Sequence, residues 1–94
     1  TGGVMTGVER IAAERRRQFE QEGWSAAHDD KHSDGSLALA GAAYAVHTVW
    51  PDHAVGLWPW DEPDMKEDCS AIRCLEKAGA LIAAEIDRLR RKCE

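Results

Sequence analysis

Residues 68–93 constrain this chain more than any other stretch. Apolar or small residues fall at Ile72, Leu75, Gly79, Ile82, Ile86, Leu89 and Cys93, a strict alternation of three and four. On a helix that spacing lines them along one stripe, and it leaves Glu76, Lys77, Glu85, Asp87, Arg88 and Arg90 largely off it. A three-four repeat held this long marks the seam of a helix lying alongside a partner, with ridges packed into grooves. Ala78, Gly79, Ala80, Ala83 and Ala84 add small residues around the seam, so a neighbouring backbone can approach closely. At about 1.5 Å per residue the helix should be roughly 40 Å long. The rest of the chain must supply its cover.

Ninety-four residues make one domain, near the lower end of what a single apolar core can hold. Upstream, Thr6 and Glu9 have the spacing of a capping box. They announce a helix from about residue 7 to residue 22, stopped by Gly23. Its apolar stripe is thin, formed by Val8, Ile11, Ala12 and Phe19, so it needs Trp24 and the last helix as packing partners. Residues 24–35 read as a polar loop with two histidines and three aspartates. Ser33 or Asp34 can cap a second helix over residues 35–49, with Leu37, Ala40, Gly41, Tyr44 and either Val46 or His47 facing inward. Trp50-Pro51 ends it, because the residue before proline disfavours the helical region. Residues 51–67 read as a second long loop, carrying Trp58-Pro59-Trp60 and the acids Asp61, Glu62, Asp64 and Glu67, which run on into Asp68 as cap of the last helix. The expectation is therefore all-α: a three-helix domain with two long loops that meet at one end of the bundle. Two thin helices can hardly cover so long a seam, so assembly through the C-terminal helix into a homo-oligomer is also expected. Residues 1–5 are expected to be disordered or tag-derived, with Met5 as the native start, and residues 6–94 a single helical domain.

No apolar run approaches a membrane span and no signal peptide is visible, which implies no membrane partner and a cytoplasmic setting. A net charge of −5 argues against general nucleic-acid binding, which needs a basic face. Arg15, Arg16 and Arg17 cluster nonetheless, and Arg88, Arg90, Arg91 and Lys92 suit the negative end of the last helix. The three cysteines, Cys69, Cys74 and Cys93, contain no CxxC pair and read as free thiols.

The densest group of ligand-type side chains is His28-Asp29-Asp30-Lys31-His32. Histidine and carboxylate at short spacing can bind a divalent metal once a further ligand arrives. They can equally contact a small molecule, or simply satisfy backbone N–H groups in a solvated loop. His28 and His32 would share a side if the segment made a helical turn. Trp24, Tyr44, Trp58 and Trp60 are the aromatic group, able to stack a nucleobase or to close the bundle end as core. Lys77 can hold a phosphate or make a surface ion pair, and Arg15 is the arginine best placed by period to turn toward the seam.

The combination ERRRQ (residues 14–18), EGW (22–24), HDDKH (28–32), WPWD (58–61) and KAGALIAAEIDRL (77–89) resembles a widespread family of small phage and prophage proteins with no assigned reaction. That resemblance spans almost the whole chain and implies a viral setting, with the host cytoplasm as the place of action during infection. A weaker resemblance is to the MazG-like all-α nucleotide pyrophosphohydrolases, which hold magnesium with ExxE and ExxD pairs. Here Glu9, Glu14, Glu20, Glu76 and Glu85 are followed three residues later by Ala12, Arg17, Gly23, Gly79 and Arg88, none of them acidic.

Three functions stay open on these grounds. The leading one is a non-enzymatic binder of a nucleotide-like small molecule, acting in a phage as an anti-defence sponge that sequesters a host nucleotide immune signal. Trp58 or Trp60, with Trp24, would stack a base; His28 and His32 with Lys77 or Arg15 would contact phosphate; Asp29 or Asp30 would accept from ribose hydroxyls. No resident cofactor is implied by this reading. The second is metal-dependent nucleotide hydrolysis, with His28, Asp29, Asp30 and His32 as ligands. The third is a protein-interaction module using the exposed tryptophans.

Overall fold

The computed structural model describes residues 4–61, residue 65 and residues 70–93. Among these the chain is all-α, with five helices and no strand: α1 (Gly7–Glu22), α2 (Ala26–Asp30), α3 (Ser36–His47), α4 (Pro51–Leu57) and α5 (Ala71–Cys93). The three expected helices are α1, α3 and α5. The two stretches read as loops hold a short helix each. In the first, the Ser25 side chain accepts from the backbone N–H of His28 and starts α2. In the second, Pro51 sits at the first turn of α4, where its missing N–H costs nothing.

Local chemistry explains the boundaries. Thr6 and Glu9 form the reciprocal capping box, at 2.7 and 3.2 Å, and Gly23 leaves α1 in the left-handed conformation at φ 74°. The Asp34 carboxylate accepts from the Ser36 N–H at the start of α3. The Ser70 hydroxyl accepts from the Arg73 N–H, three residues on, and so caps α5. Asp68, expected as that cap, lies outside the described residues, as do Glu62, Asp64, Glu67 and Cys69. Of residues 1–5, expected to be disordered or tag-derived, residues 1–3 also lie outside the described residues, and Val4 and Met5 are exposed.

α5 lies in the middle, with α1 packed on one side and α3 on the other; α4 packs against α3, and α2 touches α5. The molecule is flat, 38 × 37 × 22 Å. Two glycines permit the close approaches. A Cβ at Gly79 would lie 2.5 Å from Ile11 of α1, and one at Gly41 would lie 3.0 Å from the Ala78 carbonyl oxygen of α5. The buried apolar cluster joins α3, α4 and α5 through Leu37, Tyr44, Ala54, Met65, Cys74 and Leu81.

Three expectations need correction. The stripe Ile72, Leu75, Ile82, Ile86 and Leu89 is 44–61% exposed; α5 instead buries the opposite, alanine-rich side, including Cys74, Ala78, Leu81 and Ala84. Small residues let α1 and α3 approach closely there, and nothing in the period says which face a single chain will cover. On α1, the side chains that go inside are Glu14 and Gln18, while Val8 and Phe19 stay 79% and 58% exposed. Arg73 of α5 and Arg17 supply the charge that lets Glu14 be buried. Finally, Cys74 is disulfide-bonded, whereas Cys93 is free and exposed. No CxxC spacing announces that bond, and a disulfide sits poorly with a purely reducing compartment.

Candidate functional site

The polar loop after α1 and the tryptophan segment after α4 meet over α5. Their rings form one continuous row. Trp24 stacks on His28 with centroids 5.6 Å apart and planes 2° from parallel. His28 meets His32 edge-on at 5.1 Å, His32 meets Trp60 at 5.0 Å, Trp60 meets Trp58 at 5.1 Å and Trp58 meets Tyr44 at 5.5 Å. The Lys77 ammonium lies 5.6 Å above the Tyr44 ring and closes the row. His28 and His32 come together because α2 continues as a turn, with Lys31 and His32 N–H groups donating to the His28 and Asp29 carbonyls. The Trp58 indole N–H donates to the Asp61 carbonyl at 2.8 Å, which fixes that ring in the second connection.

Facing this row is a polar wall from α1. Glu14, Gln18 and Glu22 recur every four residues, and Arg17 stands beside them. Row and wall enclose a cavity of about 400 Å³, floored by Leu81, with Trp24, His28, His32, Tyr44, Trp58, Trp60 and Lys77 on its other sides. That is within the size range of small-ligand sites, and its mix of apolar rings with a few charged groups is typical of them. Arg17 holds Glu14 in a fork at 2.9 Å and also reaches Glu22 at 3.5 Å; Arg73 reaches Glu14 at 2.7 Å. Burial pushes the Glu14 carboxyl up, but hydrogen bonds and charge from Arg17 and Arg73 outweigh it and hold it below the ordinary value. Glu14 is therefore an anion at neutral pH. His32 is shifted down, chiefly by burial and then by the neighbouring His28, so it is neutral and can accept or donate without carrying charge.

Gln18 has a telling arrangement. It is 2% exposed, and its amide N–H donates to Glu14 at 3.1 Å. Because a carboxylate only accepts, the amide orientation is fixed, and the Oε1 atom has no hydrogen-bond partner among the described residues. A buried acceptor left unpaired costs on the order of 1–3 kcal/mol.

Of the residues singled out from the sequence, Trp24, His28, His32, Trp58, Trp60 and Lys77 line this one cavity. Arg15, Asp29 and Asp30 do not. Asp29 is buried, its Oδ1 3.2 Å from His28 Nδ1, while Arg15 stands 3.3 Å from its Oδ2, near enough to pair in charge but not aligned as a hydrogen bond. Arg15 also reaches Asp87 at 3.4 Å, and Asp30 bridges to Arg91 at 2.8 Å. These three pin α2 to α1 and α5. With the aspartates so engaged, the set His28, Asp29, Asp30 and His32 does not converge on a cation, and no group of three or more His, Cys, Asp or Glu able to hold a metal occurs among the described residues. The basic C-terminus is likewise partly structural: Arg88 is buried and forks onto Glu85 at 2.7 and 3.0 Å.

The polar wall carries no acids three apart, and its readable signal is instead the spacing of four through Glu14, Gln18 and Glu22. Arg17 rather than Arg15 lines the cavity, while Arg15 turns to Asp29 and Asp87. The chain matches no family model, no curated protein and no solved structure. Among the described residues no helix is long and apolar enough to cross a membrane.

Proposed function

We propose that this protein binds a nucleotide-like small molecule in the cavity between the aromatic row and α1, and holds it without turnover. The observation that carries this reading is the continuous row of six rings, ended by Lys77, facing a charged wall across about 400 Å³. A flat heteroaromatic base gains on the order of 1–3 kcal/mol by stacking on an indole, and Trp24 and Trp60 offer such faces. Lys77 and Arg17 supply positive charge for a phosphate. The unpaired Gln18 acceptor suits an exocyclic amine or a sugar hydroxyl on the ligand. Retention without hydrolysis is supported by the carboxylates that line the cavity, since Glu14 and Glu22 are both engaged by Arg17. The resemblance to phage proteins gives such a binder a purpose, as a sponge that removes a host nucleotide signal. Its partners in this reading are that ligand and further copies of the chain.

Incubation with a nucleotide panel, followed by calorimetry and by recovery of the ligand after denaturation, tests the proposal. A tight, saturable complex releasing unchanged ligand is expected. Trp60→Ala should weaken it by about 5- to 150-fold, the equivalent of the stacking energy. Product formation would overturn retention without turnover, and absence of binding across the panel would overturn the site.

A further inference from the structure

The cavity occupies one broad face of a flat molecule, and among the described residues nothing covers the other. Ile86 and Lys77 are nine residues apart on α5, about 900° of rotation, so they point in opposite directions. Lys77 lines the cavity, so Ile86 faces away from it. Beside Ile86 lie Ile72, Leu75, Ile82 and Leu89, all exposed, and the neighbouring α1 carries the exposed Val8 and Phe19. On α3 the flank of this face carries Ala38, exposed, and Ala42, half-buried, small enough to let another helix come near. Helices bury an apolar stripe against a second layer. On the cavity side, α2, α4 and the aromatic segments provide one; on this side nothing does among the described residues.

We infer that the layer is supplied by a second copy of this chain, with the two α5 helices packed antiparallel and the two cavities facing outward on opposite sides. Three observations carry this. The heptad stripe is complementary to itself: an antiparallel pair sets Ile72 against the partner's Leu89 and Leu75 against the partner's Ile86, around a two-fold axis near residues 79–82. The area is of the right order. Side chains of this size, half exposed, each leave on the order of 100 Å² uncovered, and the five on α5 make roughly 500 Å², the larger part of the ~800 Å² per partner of a stable interface. Charge selects the direction. A parallel pair would crowd two sets of Arg90, Arg91 and Lys92 at one end and align the helix dipoles, whereas the antiparallel pair separates the basic ends and opposes the dipoles. The interface does not involve the cavity, so it stands or falls independently of the ligand.

Sedimentation of the full chain at micromolar concentration should give a dimer. Leu75→Glu and Ile86→Glu, both at exposed positions, should each weaken it at least 100-fold while leaving the helical circular dichroism unchanged. Leu39→Glu, exposed on α3 but pointing away from α5, should leave the dimer intact. Cys93, free and exposed, reads out direction: the two copies lie about 37 Å apart in the antiparallel pair and adjacent in a parallel one. A monomeric wild type, a dimer indifferent to both glutamates, or efficient Cys93–Cys93 cross-linking across the pair would overturn the inference.

Discussion

Replacing Glu14 with alanine tests how α1 is held. Glu14 is 3% exposed and accepts from Arg17, Arg73 and Gln18 at 2.7–3.1 Å, so one carboxylate joins two helices through three donors. Removing one member of a fully buried ion pair costs about 3–5 kcal/mol, because the abandoned charge stays buried. Here Arg17 and Arg73 keep 31% and 36% of their side chains in solvent, and each retains a second acid, Glu22 and Glu76. Water and those acids absorb part of the loss, which brings the expected cost to about 2–3 kcal/mol. For a domain of this size that lowers the melting temperature by roughly 10–20 °C. Urea unfolding followed by tryptophan fluorescence gives the free energy directly. The sign with pH is fixed. The folded carboxyl titrates below its ordinary value of 4.5, so its contribution is complete above about 4.5 and disappears as pH falls through the lower, folded value. The gap between wild type and Glu14→Ala should thus be constant from pH 7 to pH 5 and close below pH 4. A cost under about 0.5 kcal/mol at pH 7, or a gap that persists at pH 2, would refute the polar attachment of α1.

Other outcomes follow from the same geometry. His32 should titrate below its ordinary 6.5 by NMR, since burial and then His28 disfavour its charged form. Because the unfolded chain takes up that proton first, stability should fall as pH drops from about 6.5 toward the folded value, and His32→Gln should flatten that slope. Gly41→Val should destabilise by about 1–3 kcal/mol, since even its Cβ would lie 2.9 Å from Ile82 Cγ1 and 3.0 Å from a backbone oxygen. Gly56→Ala, with nothing within 4 Å, should instead be neutral or stabilising by up to about 1 kcal/mol in thermal melts.

What the sequence determined by itself is local. The capping box at Thr6 and Glu9, the glycine stop at Gly23, the break before Pro51 and the three-four repeat of α5 all rest on interactions within a turn or two, so they are readable from neighbours in the chain. The convergence of the histidine and tryptophan segments was also legible, because His28 and His32 sit four apart and two indoles beside a proline need a surface to pack on. Tertiary structure decided the rest. Helical period defines stripes but not which stripe a neighbour covers, and α5 carries two: the isoleucine-leucine stripe that stands out and the alanine-rich one that lets α1 and α3 approach. Burial of Glu14 and Gln18 was equally hidden. A glutamate reads as surface until Arg73, 59 positions away in sequence, is seen to neutralise it, and only that long-range pairing makes it cheaper to bury a charge than to bury Phe19.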